Sequence, residues 1–219
     1  MPIRHNRTIP GESREYREAR NELLEKEAEI RRLTEEAAAL RRALPRGGPL
    51  KDDYIFRDRN GPRPLSDLFG KHDTLLLYSF MYKDSPCPMC TSLLDAWDAQ
   101  MPYWRERLSL AVVARTSIDS LTGFAARRGW QHLPLLSGAG TSYQPDYHCE
   151  YETQWGDQHP VLNVFRRDDT GIHHFWASEL YFCELDGQPR HMDLTWPLWN
   201  VLDLTPMGRG DDWYPALQK

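Results

Sequence analysis

The chain has 219 residues, of which 40% are hydrophobic and 11% aromatic, including eight tryptophans; its net charge is −5. That apolar content excludes a wholly disordered chain and suffices for a buried core. Lys and Arg are interleaved with Glu and form no basic block, so neither a nucleic acid nor an anionic membrane surface is expected as a partner.

The opening residues Met1 to Arg7 carry charge but no apolar run follows them, so no signal peptide is read there. The longest apolar run, Leu75-Leu76-Leu77-Tyr78, is too short to span a bilayer. A cytoplasmic protein is therefore expected. Its thiols would be kept reduced, so its four cysteines do not read as a disulfide framework.

Residues 1–11 read as a flexible leader. A long helix is predicted over 12–44, free of Gly and Pro and rich in Glu, Arg, Ala and Leu. Tyr16, Ala19, Leu23, Ile30, Leu33, Ala37, Leu40 and Leu44 recur at a spacing of three and four, broken at Lys26. The stripe fits a coiled-coil seam, giving a homodimer through this helix. It also fits a helix laid on its own globular domain or on that of a partner subunit. Pro45-Arg46-Gly47-Gly48-Pro49 stops the helix and sets the boundary between an arm over 1–49 and a domain over 50–219.

Beyond it, Tyr54-Ile55-Phe56 reads as a strand and Asn60-Gly61 as a hairpin tip. Ser66 is placed to cap a short turn over 67–69. Residues 74–81 form a continuous apolar strand of the kind buried on both faces. A helix is predicted over 88–107 and a second buried strand over 108–114. Another helix follows over 117–128, with Ser117 as N-cap and Gly129 at its end. Leu133 to Leu136 read as a short strand, and 137–157 shows weak periodicity. A hairpin joins 161–167 to 173–177 across Asp169-Thr170-Gly171. A last helix over 194–202 turns Trp196, Trp199 and Leu202 inward. This alternation predicts an α/β domain with a largely parallel core, in the element order of a thioredoxin-like fold.

One segment carries chemistry. An apolar strand runs through a short loop into Cys87-Pro88-Met89-Cys90 and then an amphipathic helix. Cys87 falls at the helix N-terminus, where unpaired N–H groups and the helix dipole favour an anion. That lowers a thiol's pKa, and the thiolate is the nucleophile. Pro88 suits the first turn because its missing N–H needs no partner. Cys90, one turn on, is placed to resolve a mixed disulfide at Cys87. His159-Pro160 leads into an apolar strand, where a thioredoxin-like fold sets a cis-proline facing the thiols; Pro160 is expected there, shaping a substrate groove.

Three other readings stand beside disulfide exchange. Cys87 and Cys90 could be half of a zinc site completed by His148 and Cys149, or by His173 and His174, but no second Cys-x-x-Cys exists. The protein could be an oligomeric interaction protein whose thiols do no chemistry. It could also be a peroxiredoxin-like peroxidase. That class carries Thr or Ser three residues before its reactive Cys and Pro seven before; here Asp84 and Phe80 occupy those positions. Cys149 and Cys183 read as buried apolar thiols.

Over nearly its whole length the chain resembles a mainly bacterial thioredoxin-like family of unassigned function, often described as predicted dithiol-disulfide oxidoreductases. The resemblance is carried by Arg42-Ala43-Leu44-Pro45, Lys51-Asp52-Asp53-Tyr54-Ile55-Phe56 and Tyr78-Ser79-Phe80-Met81-Tyr82 with Cys87-Pro88-Met89-Cys90. It continues in Gly129-Trp130, Tyr143-Gln144-Pro145-Asp146-Tyr147-His148 and Leu202-Asp203-Leu204-Thr205-Pro206-Met207-Gly208-Arg209-Gly210. It implies redox roles for Cys87 and Cys90. Asp203 and Arg209 read as a surface ion pair or as a rim of the thiol site. His148 reads as a core histidine bonded to a backbone carbonyl, with a place in the site lining as its other reading. No organic cofactor or metal is expected. The partners are a protein or small-molecule disulfide and a dithiol electron donor.

Overall fold

The computed structural model describes residues 4–153 and 156–217. Gln154 and Trp155, inside the weakly periodic stretch, lie outside the described residues, as do the first three residues of the leader. The chain divides into two compact units, Met1–Pro45 and Arg46–Lys219.

The first unit is a helix, α1 (Arg14–Arg42), with Ser13 as N-cap and two arginines in its last turn. Ser13 accepts the Tyr16 N–H, and Arg41 and Arg42 complement the negative end of the dipole. None of its residues is buried. The leader turns back along one flank, where Arg4 pairs with Glu25 at 2.7 Å and Glu12 with Arg17.

The second unit is built on a seven-stranded sheet. Its strands are β1 (Ile55–Asp58), β2 (Gly61–Pro64), β3 (Thr74–Phe80), β4 (Ser109–Ala114), β5 (Leu135–Ser137), β8 (Leu162–Asp168) and β9 (Gly171–Trp176), in spatial order β2-β1-β5-β4-β3-β8-β9. A separate two-stranded ribbon holds β6 (Glu150–Thr153) and β7 (Gly156–Gln158). Only β3, β4 and β5 run parallel; both flanks are antiparallel, so the sheet is more mixed than the alternation predicts. The hairpin tip at Gly61 has φ 128°, a conformation that suits glycine.

The period-2 alternation of the central strands divides the interior into two cores. Tyr78 and Phe80 of β3, with Leu110, Val112 and Ala114 of β4, face α2 (Pro88–Trp104) and α3 (Ile118–Arg128). Leu75 and Leu77, with Ala111 and Val113, face Phe56, Leu65, Phe69, Phe165 and Tyr143, the last on the short α4 (Tyr143–Asp146). The last helix, α5 (Pro197–Leu202), follows a 3-10 turn at Asp193–Thr195. Trp196 and Trp199 are buried beside α2, and Leu202 packs half-buried against the same core. The Trp97 indole N–H donates to the Thr195 carbonyl at 2.9 Å, and that of Trp196 to Ser92 Oγ at 3.2 Å, binding this segment to α2.

Two carboxylates fix α2 against the segment after α3. Asp98 is buried and accepts the backbone N–H groups of Gln131, His132 and Leu133 at 2.8–3.1 Å. Burial alone would raise its pKa, but these donors together outweigh it and hold the group below the usual carboxylate range. Asp95 pairs with Arg128 and accepts the Trp130 indole N–H at 2.7 Å.

Ser66 caps nothing. Leu65–Phe69 is a 3-10 turn with no side-chain cap, and Ser66 bonds instead to Asp53, its hydroxyl at 2.6 Å.

Candidate active site

The thiol loop springs from the C-terminal end of β3. The Cys87 N–H donates to the Met81 carbonyl at 2.9 Å, closing the loop, and Tyr82 bridges Pro86 within it. Cys87 then stands as the N-cap of α2 with Pro88 in the first turn. Its carbonyl accepts Thr91 N–H at 3.0 Å and Thr91 Oγ1 at 2.8 Å, so the cap is held on both sides.

The sulfurs sit in different surroundings. Cys87 is half-buried, whereas Cys90 is only 1% exposed. The Cys87 sulfur accepts the Cys90 N–H at 3.4 Å. Hydrogen bonding from the Cys90 thiol, opposed by burial and aided by the Cys90 and Met89 N–H groups, brings the Cys87 thiol down from its ordinary value to about 7. Cys90 moves the opposite way. Burial, then its hydrogen bond and charge interaction with Cys87, push its thiol well above the ordinary range. The buried Tyr78 hydroxyl lies near Cys90, where it favours the thiolate, and it has no hydrogen-bond partner among the described residues. The arrangement provides an accessible, acidified thiol and a buried, protonated one a turn away.

Pro160 lies beside the same strand end. Ser79 of β3 donates its N–H to the Val161 carbonyl at 2.9 Å, and His191 Nε2 donates to the Pro160 carbonyl at 3.1 Å. The His159–Pro160 peptide bond is trans, which corrects the expected cis geometry. His159 is buried, and its Nε2 contacts the Tyr151 carbonyl at 2.8 Å. A carbonyl only accepts, so Nε2 carries a proton, and Nδ1 shares a hydrogen bond with the Tyr181 hydroxyl at 2.9 Å. The Tyr151 ring stacks on His159 with centroids 3.9 Å apart. Burial raises the pKa of the Tyr181 hydroxyl above its ordinary value.

His148 is exposed with a positive φ of 55°, its ring against Phe182, and is not a core histidine. Arg209 bonds Asp203 at 2.6 Å and Asp193 at 2.7 Å, and Arg190 joins both carboxylates. The pair read from the sequence is thus half of a four-residue ion cluster, with Arg209 also over the Trp199 ring at 5.4 Å. Cys149 is buried, which pushes its thiol up to about 12, but Cys183 is exposed rather than buried. Among the described residues, no three His, Cys, Asp or Glu side chains converge as a metal-ligand set.

Tyr78, His159 and Tyr181 escaped the sequence reading. Tyr78 left a signal: a tyrosine in a continuous apolar strand brings a hydroxyl into the core. The His159–Tyr181 bond spans two loops with no shared pattern.

The family described as "Bacterial protein of unknown function (DUF899)" matches residues 6–219. The chain belongs to this family. No curated protein matches it. Among solved structures, a cysteine-to-serine variant of peroxiredoxin Q from Xanthomonas campestris is 16% identical with a TM-score of 0.50, covering 71% of this chain and 96% of that one. A PrxQ variant from Xylella fastidiosa is 16% identical with a TM-score of 0.48, covering 61% and 84%. A peroxiredoxin-like protein from Aquifex aeolicus is 12% identical with a TM-score of 0.46, covering 61% and 75%. The Arg46–Lys219 unit of this DUF899 chain has a thioredoxin-like fold. No helix among the described residues is long and apolar enough to cross a membrane.

Proposed function

We propose that this DUF899 protein is a thiol–disulfide oxidoreductase acting through Cys87 and Cys90. The observation that carries the reading is the half-buried Cys87 sulfur at the start of α2, acidified to about 7 and bonded to the Cys90 N–H. The Cys87 thiolate attacks a disulfide of a protein or small molecule. One substrate sulfur leaves as a thiolate, and the other remains bonded to Cys87. Cys90 gives up its proton to the departing substrate sulfur and attacks the Cys87 sulfur, releasing the second substrate group as a thiol and leaving a Cys87–Cys90 disulfide. Two electrons have then passed to the substrate, and an external dithiol carrier returns them. Pro160, beside the end of β3, shapes the groove for the incoming disulfide, and Pro88 fixes the first turn beneath Cys87.

Peroxide reduction at the same thiol is the second reading, suggested by the fold shared with peroxiredoxin Q. Asp84 and Phe80, in place of the hydroxyl residue and proline of that class, favour disulfide exchange.

Turnover of a chromogenic disulfide and of a disulfide-bonded test protein, with dithiothreitol as donor, tests the proposal. The wild-type chain turns over both and Cys87→Ser neither; Cys90→Ser, reduced, freed of dithiothreitol and then given the disulfide, stops at a mixed disulfide visible by mass. Undiminished turnover by Cys87→Ser contradicts it. Faster reaction with hydrogen peroxide than with either disulfide favours the second reading.

A further inference from the structure

Helix α1 spans 29 residues, roughly 44 Å, and buries none of them. Its apolar residues nevertheless lie in register. Tyr16, Leu23, Ile30 and Ala37 recur every seventh residue, and Ala19, Leu33 and Leu40 follow three residues after three of them. These are the a and d positions of a heptad. Ile30 is 64% exposed and Leu40 65%. Among the described residues, the ion pairs of the segment before the helix fall on Arg17 and Glu25, at b and c positions rather than on this stripe.

Lys26 occupies the remaining d position, where it breaks the apolar pattern. Its ammonium pairs with Glu29, at a flanking position, at 2.9 Å.

The flanking charges choose the occupant and its direction. The g positions are Glu15, Glu22, Glu29 and Glu36; the e positions are Arg20, Glu27, Thr34 and Arg41. In a parallel pair each g residue meets the e residue five positions further along the other helix. Glu15 then faces Arg20 and Glu36 faces Arg41, both attractive. Glu29 faces Thr34, and only Glu22 against Glu27 repels. In an antiparallel pair g faces g, setting glutamate against glutamate.

We propose that α1 pairs with α1 of a second copy of this chain as a parallel, in-register two-stranded coiled coil. The inference does not depend on the chemistry at Cys87.

Analytical ultracentrifugation of the full chain at micromolar concentration tests it. Reducing agent is kept present, so that the exposed Cys183 cannot link copies. The wild-type chain sediments as a dimer, and Ile30→Lys, at the centre of the seam, as a monomer. Glu27→Lys turns the one repulsive contact attractive on both sides of a parallel pair, tightening the dimer roughly tenfold. It does not tighten an antiparallel one, where Glu27 meets no glutamate of the g series. A monomeric wild type, a dimer indifferent to Ile30→Lys, or a dimer that Glu27→Lys leaves unchanged or weakens overturns the proposal.

Discussion

Helices α2 and α3 open with nearly the same backbone and opposite chemistry. Ser117 precedes α3 at φ −63°, ψ 151°, and its hydroxyl accepts the Ser120 N–H at 3.1 Å. Cys87 precedes α2 at φ −64°, ψ 124°, and its sulfur accepts the Cys90 N–H at 3.4 Å. Asp119 in the first turn of α3 answers the positive end of that helix, whereas α2 has no acid in its first turn. At α3 the cap stabilises the helix. At α2 a neutral thiol is a weaker cap, and the Cys90 thiol, with the unanswered Cys90 and Met89 N–H groups, is left to stabilise a thiolate. The same local geometry thus does structural work with oxygen and acidifies a thiol with sulfur.

Cys87→Ser turns the second helix start into a copy of the first. Disulfide turnover is lost altogether, while the melting temperature holds or rises because a hydroxyl caps better than a thiol. Thermal unfolding run beside the turnover assay checks both halves.

Asp98→Ala strips the acceptor from three backbone N–H groups beneath α2. It destabilises the fold by roughly 3 kcal/mol, measured by urea unfolding. The folded carboxyl is held below its unfolded value, so this contribution is present above about pH 4 and fades as pH falls through the lowered folded value. The stability difference between wild type and variant should shrink on acidification.

Cys90→Ala removes the largest influence acidifying Cys87 and moves its titration up toward the ordinary cysteine value of about 8.5. Helix-terminus N–H groups remain, so the shift is partial; an unchanged titration would place the acidification wholly in the backbone. Ser117→Ala, the smallest change, costs about 1 kcal/mol in stability and leaves the Cys87 titration untouched.

What the sequence revealed follows from how local its causes are. Both central strands are apolar runs bounded by polar residues, and α3 carries its own start and stop in Ser117 and Gly129. The Cys-Pro-Met-Cys helix start is equally local, so Cys87 and Cys90 were legible as a pair. The antiparallel flanks were not, because pairing direction is set by neighbours distant in the chain. The ribbon of β6 and β7 was missed because its strands are short, with exposed and half-buried positions giving no alternation to read. Around the site, Pro160 was placed correctly at the strand end but not in its isomer. The bond of His159 to Tyr181 and the joining of Asp193 and Arg190 to Asp203 and Arg209 are long-range contacts between loops. Exposure of His148 and Cys183 depends on the path of the chain after β5, which no pattern fixes.

The rate of alkylation of Cys87 as a function of pH, followed by mass in the reduced protein, tests the central claim most directly. A midpoint near 7 shows an acidified thiolate at the start of α2, as the site geometry requires. A midpoint at or above about 8.5, or a Cys87 that does not react while the protein is folded, contradicts it.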